Sequence, residues 1–226
     1  MRASNSPPVD MKPGPAAPER IRLEYRRPAA RVLGLGVAAP RISWEIPFAP
    51  PGWEAAVTEI ELLRRDPANP AGSPHLVERA EVHGRDQVLV AWPFAPLLSR
   101  DAVCVRLRVR GTDEQWSPWS EPVHVEAGLL APEDWAAQMV GPAWEENPGT
   151  DRRPPLVRGE IEVPEDLVTA RLYATAHGLV ELELNGARVG EEALTPGWSS
   201  YADRLRWSVW DVTAMVHPGV NVIGAW

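Results

Sequence analysis

The sequence predicts an all-β protein built from two β-sandwich modules. Three observations favour this fold class: short runs with strand-like alternation recur, Pro, Gly, Asp and Asn separate them, and no helical periodicity extends beyond two turns. The 226 residues, of which 44% are hydrophobic, are enough to bury real cores. We therefore expect a folded protein of one and a half to two domains.

Proline and glycine predict where the modules begin and end. Residues 1–18 are rich in Pro, Ala and Ser and predict a flexible leader. The runs in 19–128 predict a fibronectin type III-like β-sandwich. Residues 129–150 break the alternation and are predicted to be a linker. Residues 151–226 carry a second set of strands, predicted to form a second β-sandwich.

Charge and composition exclude several classes of partner. A formal net charge of -8 and a pI near 5.2 argue against nucleic acid, because neutralising phosphates requires clustered Lys and Arg. The first twenty residues contain no apolar core typical of a signal peptide, and no run approaches the ~18 apolar residues of a membrane helix. We expect a soluble, cytoplasmic chain with no membrane partner. The single cysteine, Cys104, allows no internal disulfide and is expected to be a buried, inert thiol.

Residues 106–125, RLRVRGTDEQWSPWSEPVHV, predict a ladder of arginine and tryptophan. Side chains alternate along a strand, so the apolar residues of VCVRLRVR face one side and the arginines the other. After the GTDEQ turn, the two tryptophans return beside the arginine row, where guanidinium groups can stack on indole faces for roughly 0.5–1 kcal/mol per contact. The predicted structural ladder comprises Arg106, Arg108, Arg110, Trp116 and Trp119.

The two Trp-Ser steps favour a structural role over a ligand site. Ser117 and Ser120 can satisfy backbone groups where the strand is irregular. Replacing Arg108 or Trp116 with Ala is expected to lower the free energy of unfolding by on the order of 1 kcal/mol. WSPWSEP resembles the WSxWS box of fibronectin type III modules in cytokine receptors. Those receptors are secreted and carry paired cysteines, whereas this chain has one cysteine and no signal-like segment. The box therefore indicates the type of module and not a receptor function.

Several polar residues of the second module have a structural interpretation that suffices. Asn185-Gly186 lies between two strand-like runs, where a type I′ hairpin requires positive φ at both central residues. Asp211 or Thr213 can cap a short helical turn. His177 precedes a glycine with no second His or Cys at ligand spacing, so no metal role is assigned to it.

The stretch TPGWSSYADR has the residue types of a carbohydrate site. Aromatic rings stack on the apolar faces of sugars, while carboxylates and guanidinium groups bond to hydroxyls. The alternative interpretation is that the tryptophan of the Pro-Gly turn only covers the edge of a sandwich. The candidate carbohydrate-binding residues are Trp198, Tyr201, Asp203 and Arg204.

Residues 167–226 contain, in order, an Asn-Gly hairpin, the phrase Pro-Gly-Trp, a Tyr and an Asp-Val-Thr strand end. This order resembles the amino-terminal β-domain of bacterial α-L-rhamnosidases. The stretches PRISWEI, WSPWSEPVHVEAGLL and DWAAQMVGP are similar to the fibronectin-like module and linker that open these enzymes. The resemblance implies an accessory part of an inverting glycoside hydrolase that releases terminal L-rhamnose from rhamnosides. It also implies that residues 151–226 form a truncated jelly-roll-like domain, incomplete at its carboxyl end, where family members continue beyond the strand NVIGAW.

The resemblance also implies partners and a possible metal. The catalytic carboxylates of this family reside in a carboxyl-terminal α/α barrel that this chain lacks, so no catalytic residue is assigned. The implied partners are that domain and a rhamnose-containing glycoside or polysaccharide. Some relatives bind rhamnose through calcium, for which Asn185, Glu191, Glu192 and Asp203 are candidate ligands in principle. The alternative function is a stand-alone carbohydrate-binding or adhesion module.

Overall fold

A computed structural model describes residues 14–26, 29, 31–65, 74–144, 147, 149–150 and 154–226. Most of the predicted leader, residues 1–13, lies outside the described residues. The chain divides into two compact units, Met1–Pro132 (unit 1) and Glu133–Trp226 (unit 2). The described residues form β-strands and two short 3₁₀ turns, Pro132–Asp134 and Thr213–Met215, so the all-β prediction is confirmed. None of the helical segments among them is long and apolar enough to cross a membrane.

Unit 1 contains a five-stranded sheet and a separate two-stranded sheet. Its strands are β1 (Glu19–Leu23), β2 (Arg31–Leu35), β3 (Ile42–Glu45), β4 (Ala55–Arg64), β5 (His75–His83), β6 (Ala102–Gly111) and β7 (Val123–Ala127). The larger sheet has the order β2-β7-β6-β4-β5, in which only β2 and β7 are parallel, and β1 pairs with β3. The long central strands β4 and β6 therefore carry most of the pairing.

The core of unit 1 lies on one face of the five-stranded sheet. Period-two alternation places Val105 and Leu107 of β6 inward, and both are fully buried. Ile42 and Trp44 of β3 contribute to the same cluster from the smaller sheet. The arginines that alternate with these apolar residues lie on the opposite face of β6, where the predicted ladder is located.

In two stretches of unit 1, the structure differs from what the sequence pattern predicts. The run QVLVAWP is strand-like in sequence, but it forms only an isolated bridge between Val90 and Ile42. Leu89 has a φ of 52°, in the left-handed region, which ends an extended run. In contrast, β5 is a nine-residue strand that the alternation does not predict. It pairs only with β4 at the edge of the sheet, so most of its side chains are exposed and need not be apolar.

Unit 2 contains a four-stranded and a two-stranded antiparallel sheet. Its strands are β8 (Val157–Val163), β9 (Arg171–Thr175), β10 (Leu182–Leu184), β11 (Ala187–Arg188), β12 (Trp207–Asp211) and β13 (Gly219–Ala225). The larger sheet has the order β11-β10-β13-β8, and β9 pairs with β12. A small buried core lies between the two sheets and comprises Leu182, Leu184, Val189, Trp210 and Val212.

The last strand, β13, includes most of the stretch NVIGAW. β13 is an interior strand of its sheet, paired with β8 and β10 as far as Ala225. The backbone of Trp226 continues the ladder, because it donates to Glu181 at 3.1 Å and accepts from Glu181 at 2.8 Å. Among the described strands of unit 2, the open backbone edges lie on β8, β9, β11 and β12.

The Asn-Gly hairpin has the predicted backbone and a second role. Asn185 and Gly186 have φ of 53° and 78° and join β10 to β11 in a two-residue turn. The Asn185 amide also donates to Oδ1 of Asn221 at 2.8 Å, and its own Oδ1 accepts from the Val222 backbone at 2.9 Å. Asn221 is fully buried, and its amide bonds to the backbone at His217. The hairpin therefore anchors the start of β13.

Candidate functional site

The arginine and tryptophan side chains on the outer face of β6 interleave. The guanidinium of Arg108 lies between two rings, 4.5 Å from the Trp116 centroid and 4.6 Å from the Trp119 centroid. Arg106 covers Trp119 at 4.8 Å, and Arg110 covers Trp116 at 5.1 Å. Cation–π contacts within about 6 Å are attractive. The two indoles thus have their faces occupied by the protein's own cations.

The serine of each Trp-Ser step forms two hydrogen bonds with the backbone of β6, one through its own amide and one through its side chain. The amide of Ser117 donates to the carbonyl of Val109 at 2.8 Å, and the Ser117 Oγ accepts from the Val109 amide at 3.0 Å. Ser120 repeats this arrangement on Leu107, at 2.9 and 3.0 Å. Both serines are buried. A serine hydroxyl therefore replaces the carbonyl that a regular strand would offer.

Two buried glutamates of β4, which the sequence did not predict, lie beside the ladder. Glu59 accepts from Nε of Arg108 at 2.6 Å, and Glu61 accepts from Nε of Arg106 at 2.7 Å. Arg79 of β5 bonds to both carboxylates from the other side. The side chains of Glu59 and Glu61 are only 5% and 2% exposed, so burial without these arginines would be costly. The signal was present in TEIELL, where glutamates alternate with apolar residues.

The single cysteine is placed on the same outer face. Cys104 is buried, and its Sγ lies 3.0 Å from Nδ1 of His124 on β7. Burial raises the pKa of the thiol and lowers the pKa of the imidazole, which favours the neutral form of both groups. A neutral, buried thiol is a poor nucleophile, in keeping with the expectation of an inert cysteine.

The aromatic residues of the 195–206 loop in unit 2 are placed very differently from those of the ladder. Trp198 is 76% exposed, so it does not cover the edge of the sandwich within the described part of this chain. The ring of Tyr201 stacks on His177, with centroids 5.8 Å apart and an interplanar angle of 19°. His177 follows the end of β9, so it can fix the Tyr201 ring against the end of a strand. The loop presents an open aromatic surface of the kind that binds sugar faces.

The polar candidates in this loop have two different environments. Asp203 accepts from the Ser200 hydroxyl at 2.6 Å, while Ser199 donates to the carbonyl of Arg204 at 2.9 Å. These bonds close the turn that carries Tyr201. The Asp203 carboxylate is therefore partly engaged within the loop. The Arg204 side chain is exposed and bonds to no described residue.

The four candidate calcium ligands do not converge. Asn185 is engaged with Asn221 and Val222, and Asp203 with Ser200. In the described parts of the chain, no group of three or more His, Cys, Asp or Glu residues is placed to hold a metal ion. The candidate ligands thus serve separate hydrogen-bond networks in this structure.

Glu192 has a structural partner at the edge of the unit 2 core. Its Oε2 accepts from the indole Nε1 of Trp210 at 3.1 Å, and this hydrogen bond is the main reason that the pKa of Glu192 is lowered. Gly190 makes the contact possible, because a Cβ built there would lie 2.3 Å from that same Nε1. With a φ of 76°, the position also favours glycine on backbone grounds.

Two family models match the chain. Residues 18–131, half of its length, match the model described as Rha78A-like, N-terminal immunoglobulin domain. Residues 165–226 match the model described as Alpha-L-rhamnosidase N-terminal domain. The second match includes both the 195–206 loop and the Asn185 hairpin.

Curated relatives and solved structures agree with these matches. An α-L-rhamnosidase of Formosa agariphila is 30% identical over 198 residues, which are 85% of this chain and 21% of that protein. The crystal structure of native α-L-rhamnosidase from Aspergillus terreus superposes with a TM-score of 0.76 at 34% identity, covering 92% of this chain and 23% of that one. The α-L-rhamnosidase of Dictyoglumus thermophilum, at 22% identity and a TM-score of 0.78, shows the same fold. The chain thus spans between a fifth and a quarter of the length of these proteins.

Proposed function

The chain belongs to the α-L-rhamnosidase family and matches its amino-terminal domains. We propose that it forms the sugar-binding accessory part of such an enzyme. The observation that carries the proposal is the 195–206 loop, where Trp198 is exposed beside a Tyr201 ring stacked on His177. One stacked ring and a few exposed hydrogen bonds suit a weak site, of millimolar to high micromolar affinity. The ligand we propose is the terminal L-rhamnose of a glycoside or polysaccharide.

We assign the hydrolytic step to a catalytic domain of the longer enzyme and not to this chain. Inversion requires an acid and a base on opposite sides of the sugar, about 6.5–9.5 Å apart. The most buried carboxylates, Glu59 and Glu61, are each held by two guanidinium groups on a closed sheet face. They cannot reach a substrate. The chain alone is therefore expected to release no rhamnose from an aryl rhamnoside, and turnover would contradict this assignment.

Calorimetric titration of the chain with L-rhamnose tests the binding proposal. We expect weak saturable binding that is lost in Trp198→Ala and reduced less in Tyr201→Ala, because Trp198 offers the larger free surface. Trp116→Ala is the matched control, since it removes the same side chain from the ladder and should retain wild-type affinity. Repeating the titration after chelation shows whether calcium takes part. Absence of saturable binding by the wild-type chain would refute a sugar site on this loop.

A further inference from the structure

The arginines of unit 2 differ in whether they have an acidic partner. Residues 133–226 contain 15 Asp and Glu against 7 Arg, whereas residues 1–132 contain 16 of each sign. In that acidic unit, the described arginines with acidic partners at 2.8–2.9 Å are Arg158, Arg171 and Arg188. The side chains of Arg204 and Arg206 form no hydrogen bond or ion pair with a described residue. Free positive charge in the described part of unit 2 is thus confined to the 195–206 loop.

The backbone fixes Arg206 close to the aromatic residues. Its carbonyl accepts from the Thr175 hydroxyl at 2.5 Å, and Thr175 is the last residue of β9, two residues before His177. The side chain lies against the turn that carries Trp198, because a Cβ built on Gly197 would be 3.6 Å from Nη1 of Arg206. The free guanidinium and the stacked Tyr201–His177 pair therefore share one end of the β9–β12 ribbon.

We propose that this loop recognises an acidic sugar, and that Arg206 binds its carboxylate while the aromatic residues hold a sugar ring. The proposal rests on the sugar-binding function proposed above and adds the class of ligand. A planar guanidinium with unused N–H donors matches a carboxylate in two-point geometry. The acidic residues elsewhere in unit 2 would repel the same group, so the loop is where a carboxylate is favoured. The expected ligand is a rhamnoside whose neighbouring sugar is a uronate.

Titration with a matched pair of ligands tests this inference. The probes are L-rhamnose linked to D-glucuronate and the carboxyl-reduced form of the same disaccharide, which differs only in the charged group. We expect the acidic disaccharide to bind about 3- to 5-fold more tightly at low salt, the size of an exposed charge pair. The preference should disappear in Arg206→Gln. Arg158→Gln is the matched control, because Arg158 is also exposed in unit 2 but pairs with Glu160.

The outcomes separate this inference from the proposed function. Equal affinity for the two disaccharides, with both dependent on Trp198, overturns the inference and leaves the sugar site standing. A preference that persists unchanged in Arg206→Gln overturns the role of Arg206. Affinity for the acidic disaccharide that is indifferent to Trp198→Ala would show charge attraction without a sugar site, and so contradict both. Loss of the preference in Arg206→Gln, with Trp198 still required, supports the inference.

Discussion

Two stretches of the molecule, 106–119 in unit 1 and 198–206 in unit 2, combine tryptophan with arginine to opposite effect. In the first, Arg108 lies between two indoles and also bonds to a buried glutamate. In the second, Trp198 is exposed and the Arg206 side chain has no partner among the described residues. The comparison shows that the same residue types can be engaged within the fold or left available for a ligand. What distinguishes the two stretches is whether the rings and N–H donors are already occupied.

The substitution with the largest expected effect on stability tests whether the ladder depends on its buried carboxylates. Glu61→Ala removes the acceptor shared by Arg79 and Arg106, and the free energy of unfolding of unit 1 should fall by about 3 kcal/mol. Glu81→Ala is the matched control on the neighbouring strand, because the Glu81 side chain is 49% exposed and should cost under about 0.5 kcal/mol. Urea unfolding measures both. Similar losses in the two variants would contradict a special role for the buried pair.

A smaller effect is expected at the centre of the ladder. Arg108→Ala removes two ring contacts and a bond to Glu59, so we expect a loss of about 2 kcal/mol. This loss exceeds the roughly 1 kcal/mol expected from ring stacking alone, because Arg108 also bonds to Glu59. Arg110→Ala, which removes one ring contact, should cost less than about 1 kcal/mol. Thermal unfolding compares the two, and equal losses would exclude a contribution from Glu59.

The two units should also differ in how acid destabilises them. In unit 1, burial lowers the pKa of His124 below its ordinary value of 6.5, and the bond from Arg64 lowers the pKa of Asp101 below 3.8. In unit 2, Trp210 lowers the pKa of Glu192 below 4.5. Each group has a lower pKa when folded, so the unfolded chain binds more protons in between, and stability falls as pH falls through that window.

The acid effect therefore begins at different pH values. The contribution of His124 is complete above pH 6.5 and decreases below it, whereas that of Glu192 is complete above about pH 4.5 and decreases only below that value. Melting temperatures of wild type, His124→Asn and Glu192→Gln between pH 7.5 and 3.5 measure the two windows. Each variant should lose the pH dependence of its own window. A His124→Asn curve parallel to wild type between pH 6.5 and 5 would contradict the assignment.

Much of the fold could be predicted because its signals are local. Alternation in VCVRLRVR predicts a two-faced strand, and Asn185-Gly186 predicts the hairpin. The family could also be predicted, and the domain models confirm it. The edge strand β5 could not, because an exposed strand does not require the apolar alternation that marks a buried one. The pairing of β13 could not either, because it depends on partners distant in sequence.

The ladder and the 195–206 loop were also predicted only as far as local sequence signals reach. The sequence predicted the tryptophans and arginines of the ladder, and Trp198 and Arg204 of the loop. Glu59 could not be predicted, because it is 49 residues from Arg108 and is brought to it only by the β4–β6 register. The stacking of His177 on Tyr201 could not be predicted either, because it depends on how the loop returns to β9. Arg206 could not be predicted, because the fold decides which of the described arginines of unit 2 have acidic partners.

The most direct test of the central comparison is a rhamnose titration of Trp198→Ala alongside Trp116→Ala, each first checked by thermal unfolding. Trp198→Ala should fold with wild-type stability to within about 0.5 kcal/mol and lose rhamnose binding, because its ring is free for a ligand. Trp116→Ala should be destabilised by about 1–2 kcal/mol and bind rhamnose with wild-type affinity, because its ring contacts two arginines. The opposite pattern, with affinity lost in a folded Trp116→Ala protein and retained in Trp198→Ala, would contradict the account.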